Sequence, residues 1–519
     1  MKKKHLLVSV LWASSLQAVW ATQPPHIVLI MCDDMGFSDL GCYGGEVRTP
    51  HIDYLAENGL RFSQFKNAGR SCPSRASLLT GRYQHGVGMG WMTAVDEHRP
   101  GYRGELSGNY PTLAEILKAN GYHTYMSGKW HVTLDDAFSK PNGSYPTERG
   151  FDKYYGCLSG GGSYYTPKPL YSGTTPITNL PDDYYYTTAI TDSAVSFIHA
   201  HQASTPMFMY VAHYAPHRPL QAPKERVDAC KERYRVGYDR LREQRFKHLQ
   251  EAGLIEGGHT LPVYQKEFGG KRPSWVDLTP EQQERWVTEM ATFAAMIEVM
   301  DDGIGEIIQA IKEKGMLDNT LFLFLSDNGA TNEGDLTTQL AADLSNTPYR
   351  SYKQWCFQGG TSAPLIVASG GGRFNLRKGE ICHDLTHIID IPVTCLELAS
   401  VAYPQQFRGH NVSLPDGKSI FPLLNGGKIA SRELYFEHQT SCAIISNGWK
   451  LVRNNGKQPW ELINLMTDPF ETNDLSAQYP RKVKALEKKW NRWAKQQSVF
   501  PFEYRPWSKR IQYYKQINP

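Results

Sequence analysis

Four hard-oxygen side chains fall in two short runs, Asp33-Asp34 and Asp327-Asn328, far apart in the chain and each directly after an apolar stretch. Asp-Asp is a common surface turn and Asp-Asn-Gly an ordinary turn signal. Placed together behind two apolar stretches, they argue instead for one shared cation. Oxygen ligands in an irregular cage favour Ca2+ over zinc, with Mg2+ the alternative if the geometry is tight. Lys129 and His131, two residues apart, can point the same way from a strand end and pair a fixed charge with a proton carrier. His217, within Ala215-Pro216-His217-Arg218-Pro219, and the earlier His213 compete for the role of general acid. Ser71, within Ser71-Cys72-Pro73-Ser74-Arg75, offers a hydroxyl, which is a weak nucleophile until something activates it. The plain reading of that last run is a turn before a helix.

The elements that must position these groups form a recurring pattern. His26–Cys32, Tyr122–Ser127, Met207–Ala212, Leu321–Leu325 and Leu365–Ala368 are short apolar runs that suit parallel strands covered on both faces. Helical periodicity lies between them. Thr112–Asn120 ends at Gly121, and Gln282–Lys314 carries a sustained apolar stripe from Trp286 to Ile311 that reads as core. Strands alternating with helices predict an α/β fold, a large and mostly parallel sheet sandwiched by helices. In such sheets ligands bind at the carboxyl ends of the strands. Asp33-Asp34, Lys129 and His131, His217, and Asp327-Asn328 all follow such an end, which predicts one shared site.

Ser71 to Arg75, continuing through Ala76-Ser77-Leu78-Leu79 to Thr80-Gly81-Arg82, resembles the signature of the formylglycine-dependent (type I) sulfatases of the alkaline phosphatase superfamily. That signature reads Cys or Ser, any residue, Pro, any residue, Arg, and closes on Thr-Gly-Arg. The register of Pro73 and Arg75 makes Ser71, not Cys72, the residue oxidised to formylglycine, with Arg75 orienting the aldehyde hydrate. The resemblance implies Ca2+ held by Asp33, Asp34, Asp327 and Asn328, with position 71 beside it and Asp327 as base. Gly128-Lys129-Trp130-His131 matches a further family motif, in which the Lys contacts sulfate and the His contacts formylglycine. His217 corresponds to the leaving-group histidine, and its Pro-His-x-Pro context favours it over His213. Lys353 corresponds to a second sulfate-binding lysine, although Gln358-Gly359-Gly360 stands where the family usually has Glu-Gly-Gly. A serine at position 71 resembles the bacterial branch that depends on an oxygen-independent, anaerobic-type maturase.

Other features bound the reading. The chain has 519 residues and a formal net charge of +4 spread along it, which gives no reason to expect nucleic acid. Lys2 to Lys4, the apolar run to Trp20 and the small residues before a cut after Ala21 read as a signal peptide over 1–21, hence a secreted, periplasmic protein with no membrane span. Nine scattered cysteines read mainly as buried thiols, while Cys382 and Cys395, which share one apolar stretch, could pair. The charged segment Lys224 to Pro280 reads as an insertion whose basic residues form a solvated helix face. From Ser431 the character changes to short strands and tight turns followed by a helix. The division is therefore a catalytic α/β domain over 22–430 and a C-terminal antiparallel sheet plus helix over 431–519. The expected activity is hydrolysis of a sulfate ester on a sulfated carbohydrate. The alternatives are a phosphatase or phosphodiesterase of the same superfamily, and a non-catalytic calcium-dependent glycan-binding protein in which Ser71 stays serine.

Overall fold

The computed structural model describes residues 23–93, 95–134, 142–371 and 374–501, with 505, 509, 512, 513, 515 and 516; the expected leader and most of the aromatic, basic tail lie outside the described residues. Five parallel strands form the middle of a ten-stranded sheet. Strand His26–Cys32 lies between Met207–Ala212 and Thr320–Ser326; His123–Gly128 and then Lys153–Cys157 continue the parallel order. The register decides where the chemistry falls. Cys32 is level with Ser326, Met31 with Ala212, and Gly128 with Ala212. The residues that follow, Asp33, Asp327 and Lys129, therefore leave the sheet at one edge.

Residues alternate between two cores, as the two-residue period of a strand requires. Val28, Ile30 and Cys32 face the long helix Pro280–Glu313, while Ile27, Leu29 and Met31 face the opposite layer, which holds Leu78, Ile116 and Ile391. Thr112 caps helix Leu113–Ala119 in a reciprocal pair with Glu115, which fixes that helix start. Strand Leu365–Ser369 departs from expectation by running antiparallel to Thr320–Ser326. Its apolar run reports that both faces are covered, and coverage does not set strand direction.

The segment after Lys224 folds into helices Lys224–Tyr234 and Tyr238–Glu251. Its basic residues are not all solvated. Arg245 is buried, with its guanidinium 2.7 Å from both Asp39 and Glu46. Arg242 and Arg272 share the buried carboxylate of Asp343. Three of the charges that read as a surface face, Arg242, Arg245 and Arg272, clamp the insertion to the segment after the first strand and to helix Leu336–Ser345.

Strands Glu433–His438, Ser441–Ser446, Trp449–Arg453 and Glu461–Asn464 form a separate antiparallel sheet. Asn447 and Gly448 both take positive φ, the conformation a two-residue hairpin turn requires. Helix Pro480–Gln496 buries Leu486, Trp490 and Trp493 against Ile444 and Leu451. All nine cysteines are free, Cys382 and Cys395 included. Among the described residues, no helix is long and apolar enough to cross a membrane.

The clamp can be tested by urea denaturation. Arg245→Ala leaves Asp39 and Glu46 without their buried cation and should cost about 3–5 kcal/mol. The exposed Arg240→Ala on the same helix should cost no more than about 0.5 kcal/mol. Equal losses in the two variants would restore the solvated-face reading.

Candidate active site

Ser71 opens helix Ser71–Thr80, all of whose residues are buried. Arg70 supplies no side-chain cap, so the first-turn N–H groups and the positive end of the helix lie at the Ser71 position. Pro73 in that turn is tolerated because its missing N–H would have had no partner inside the helix. The Ser71 hydroxyl lies 3.1 Å from Asp33 Oδ1 and 3.3 Å from Asn328 Oδ1. The helix thus brings its first side chain to the ends of the first and the 320–326 strands.

Three carboxylates and three cations interlock there. Arg75, one turn into the helix, reaches Asp33 at 3.0 Å and Asp327 at 3.4 Å, and donates to the Lys129 carbonyl at 2.8 Å. Lys129 Nζ lies 2.5 Å from Asp33. Lys353 Nζ lies 2.7 Å from Asp34. Asn328 donates to Asp34 at 2.7 Å. None of these six charged residues is more than 2% exposed. Lys353 sits on a tight loop with positive φ at Ser351 and Gln354, packed onto Gly359, where a Cβ would lie 2.1 Å from the Ser351 carbonyl. Gln358, the departure from the family pattern, accepts from the buried Lys66 at 2.7 Å and donates its backbone N–H to Glu471 of the C-terminal segment. With an amide in place of a carboxylate there, burial and the neighbouring Lys450 push Lys66 down to about 7.

The histidines divide. His217 stands 3.7 Å from Asp34, with its Nδ1 against the Arg218 carbonyl, and its side chain keeps 18% of its surface exposed. His213 is fully buried, and neither of its ring nitrogens has a hydrogen-bond partner among the described residues. His131 takes a positive φ of 59°, as Asp34 does at 68°, a region costly for a side chain with a Cβ and held by its surroundings. Its ring packs onto Gly160, where a Cβ would come within 2.0 Å of Nε2. Sequence reasoning passed over Tyr214. Its ring stacks on His217 at 5.0 Å and lies under the Lys129 ammonium at 5.2 Å. Nothing in a lone Tyr between two candidate histidines marks it. Arg70 and Glu333, paired at 2.6 Å beside Gln354, were also unmarked.

Burial and the charge of Asp33 push the Asp327 carboxyl up. Burial would raise Asp33 too, but Lys129, His217 and Arg75 hold it well below the usual range. Burial lowers His131 far below the ordinary imidazole value and His217 to about 4. The same cluster thus pushes Asp33 and Asp327 in opposite directions. With Asp34, the Asn328 amide and the Ser71 hydroxyl, they form an all-oxygen donor set that a divalent hard cation fits. Asp33, Asp34 and His217 also offer ligand atoms within 4.8 Å of one another. A second such group, His51, Asp301 and Asp302, has structural work: Asp301 accepts the backbone N–H groups of His51 and Ile52, and Asp302 pairs with Arg226.

Known proteins resemble the chain over most of its length. The Sulfatase family model matches residues 25–401. An arylsulfatase of Klebsiella aerogenes is 32% identical, over 77% of this chain and 92% of its own. An N-acetylgalactosamine-6-sulfatase of Rattus norvegicus is 29% identical, over 89% and 77%. The structure of Ps i-CgsB in complex with k-i-k-neocarrahexaose superposes with a TM-score of 0.70 at 23% identity, over 96% of this chain and 98% of that one, which speaks to the fold. The chain belongs to the sulfatase family and is a sulfuric ester hydrolase.

Proposed function

We propose that the protein is an exported sulfatase that hydrolyses a sulfate ester on a sugar of a glycan, with formylglycine made from Ser71 by an anaerobic-type maturase and with Ca2+ as its metal. The observation that carries this reading is the Ser71 hydroxyl set against Asp33 and Asn328 inside the balanced cluster of charges. When present, the aldehyde hydrate supplies the attacking oxygen and the cation polarises the sulfuryl group. Asp33, Asp34, Asp327 and Asn328 would hold the cation. Arg75 orients the residue at position 71 from below. Asp327, beside position 71, takes the proton of the attacking group.

Lys129 and Lys353 enter from opposite sides and neutralise charge on the sulfuryl oxygens, as fixed cations do at a transferring group. His217 protonates the departing sugar oxygen from Nε2, because Nδ1 is committed to the Arg218 carbonyl. Its lowered pKa describes the anion-free site; a bound sulfate ester brings negative charge that favours the imidazolium. His131, neutral and with Nδ1 unpartnered among the described residues, accepts the proton that frees the sulfate at the end of the cycle. The two relatives named for aryl sulfate and N-acetylgalactosamine 6-sulfate hydrolysis support a sulfate ester as substrate. A panel of galactose, N-acetylgalactosamine, N-acetylglucosamine and fucose sulfated at each hydroxyl resolves which sugar it is.

Maturation tests this reading. Protein produced with an anaerobic-type maturase should lose two hydrogens at Ser71 by mass spectrometry and hydrolyse a member of the panel, while protein with intact serine stays inert. Full activity with intact serine contradicts the aldehyde mechanism. For the acid, His217→Ala should slow hydrolysis of the sugar sulfate by about 10²–10⁴-fold while barely slowing that of nitrophenyl sulfate, whose leaving group needs no proton. His213→Ala is the comparison. Equal losses on both substrates, or a selective loss in His213→Ala, would move the role away from His217.

A further inference from the structure

We propose that an open trough beside His217 binds the sugar residues flanking the sulfated one, and that it selects a chain whose flanking residues carry no further anion. The inference rests on the reading of His217 as the acid at the leaving oxygen. Whatever is attached to that oxygen must run out of the site past His217.

The trough begins at the next residue. It has a volume of about 800 Å3 and runs from Arg218, Pro219 and Leu220 along the first turns of helix Pro280–Glu313. Helix length explains why those turns stand there. The 34-residue helix is about 51 Å long. The seven-residue strand Thr320–Ser326 that follows it is about 23 Å long and ends at the site. A helix that returns the chain to the start of that strand must project its own beginning past the sheet edge, beside the mouth of the site.

Arg218 couples the acid to the trough. Its carbonyl accepts from His217 Nδ1 and, at 2.9 Å, from Tyr214, while its guanidinium is held by Glu289 and by Thr338 Oγ at 3.0 Å. Its side chain remains 31% exposed. A sugar hydroxyl bound to this guanidinium is therefore registered to the proton donor through one residue.

The charges on the walls set the specificity. Arg218 is paired with Glu289, Arg285 with Asp335, and Glu284 with Arg235. Glu281 has no ion-pair partner among the described residues. Two arginines and three glutamates thus line the trough, and neither arginine is spare. Closed ion pairs offer donors and acceptors to hydroxyls, and Pro219, Leu220 and Pro280 offer apolar contact to the C–H face of a sugar ring. A second sulfate or a uronate would enter without a cation to meet it and would be repelled. The cations that greet sulfate, Lys129 and Lys353, lie in the buried cluster alone.

The test uses matured enzyme and three probes. They are the sulfated monosaccharide that the panel selects, a tetrasaccharide carrying that one sulfated residue, and the same tetrasaccharide with a second sulfate on the adjoining residue. Binding energy from remote sugars should raise kcat/KM for the singly sulfated tetrasaccharide by about 10- to 100-fold over the monosaccharide. The second sulfate should remove most of that gain. Thr288→Trp, a substitution at an exposed position on the trough wall, should return the tetrasaccharide to the monosaccharide value and leave the monosaccharide itself unaffected. Equal kcat/KM for monosaccharide and tetrasaccharide, preference for the doubly sulfated chain, or equal loss on all probes in Thr288→Trp would each overturn the proposal. Matured protein that hydrolyses none of the panel would instead overturn the proposed function, and this inference with it.

Discussion

Three carboxylates cannot be buried together at a sheet edge unless something of opposite charge is buried with them. Each uncompensated charge would cost several kcal/mol, more than most single interactions in a fold return. Asp33, Asp34 and Asp327 are brought together by parallel register, and the chain answers from three separate directions. Arg75 rises from the helix beneath, Lys129 from the neighbouring strand end, and Lys353 from the loop packed on Gly359. The result is neutral as it stands. A divalent cation held by the same oxygens would turn it net positive, which is the condition for receiving an anionic sulfuryl group and for stabilising charge that develops on its oxygens.

This constraint organises much of the remaining architecture. Helix Ser71–Thr80 is wholly buried because its first residue must meet two strand ends and its fifth must reach below them. The insertion is clamped by Arg245 and Arg242 onto Asp39, Glu46 and Asp343, carboxylates carried by segments that continue from the Asp33 and Asp327 strand ends. The C-terminal sheet is tied in through Glu471, whose carboxylate accepts from the Gln358 backbone and lies 2.7 Å from Lys450. The loop that carries Lys353 is therefore braced from behind by a separate layer of the protein.

Much of this was legible in the sequence, for physical reasons. Apolar runs such as His26–Cys32 and Met207–Ala212 announced strands buried on both faces, and polar residues after each announced where they end. The Asn447-Gly448 turn and the capped helix after Thr112 depend on local chemistry alone, so they could be read from a few residues. What escaped depends on contacts between distant segments. The antiparallel direction of Leu365–Ser369 follows from how the chain returns to the sheet, which its composition does not record. Arg245 reads like any basic helix residue until Asp39 and Glu46 are found opposite it. Tyr214 and Gly160 matter because they support the rings of His217 and His131, a role visible only once both strand ends are in place.

The central claim is that the interlocked carboxylates form a cation site, and a crystal structure of the protein grown with calcium tests it most directly. The account predicts one ion among Asp33, Asp34, Asp327 and Asn328, with ligand oxygens at about 2.3–2.6 Å and the residue at position 71 beside it. An ion held instead by His51, Asp301 and Asp302, with the interior carboxylates still closed on Arg75, Lys129 and Lys353, would contradict it.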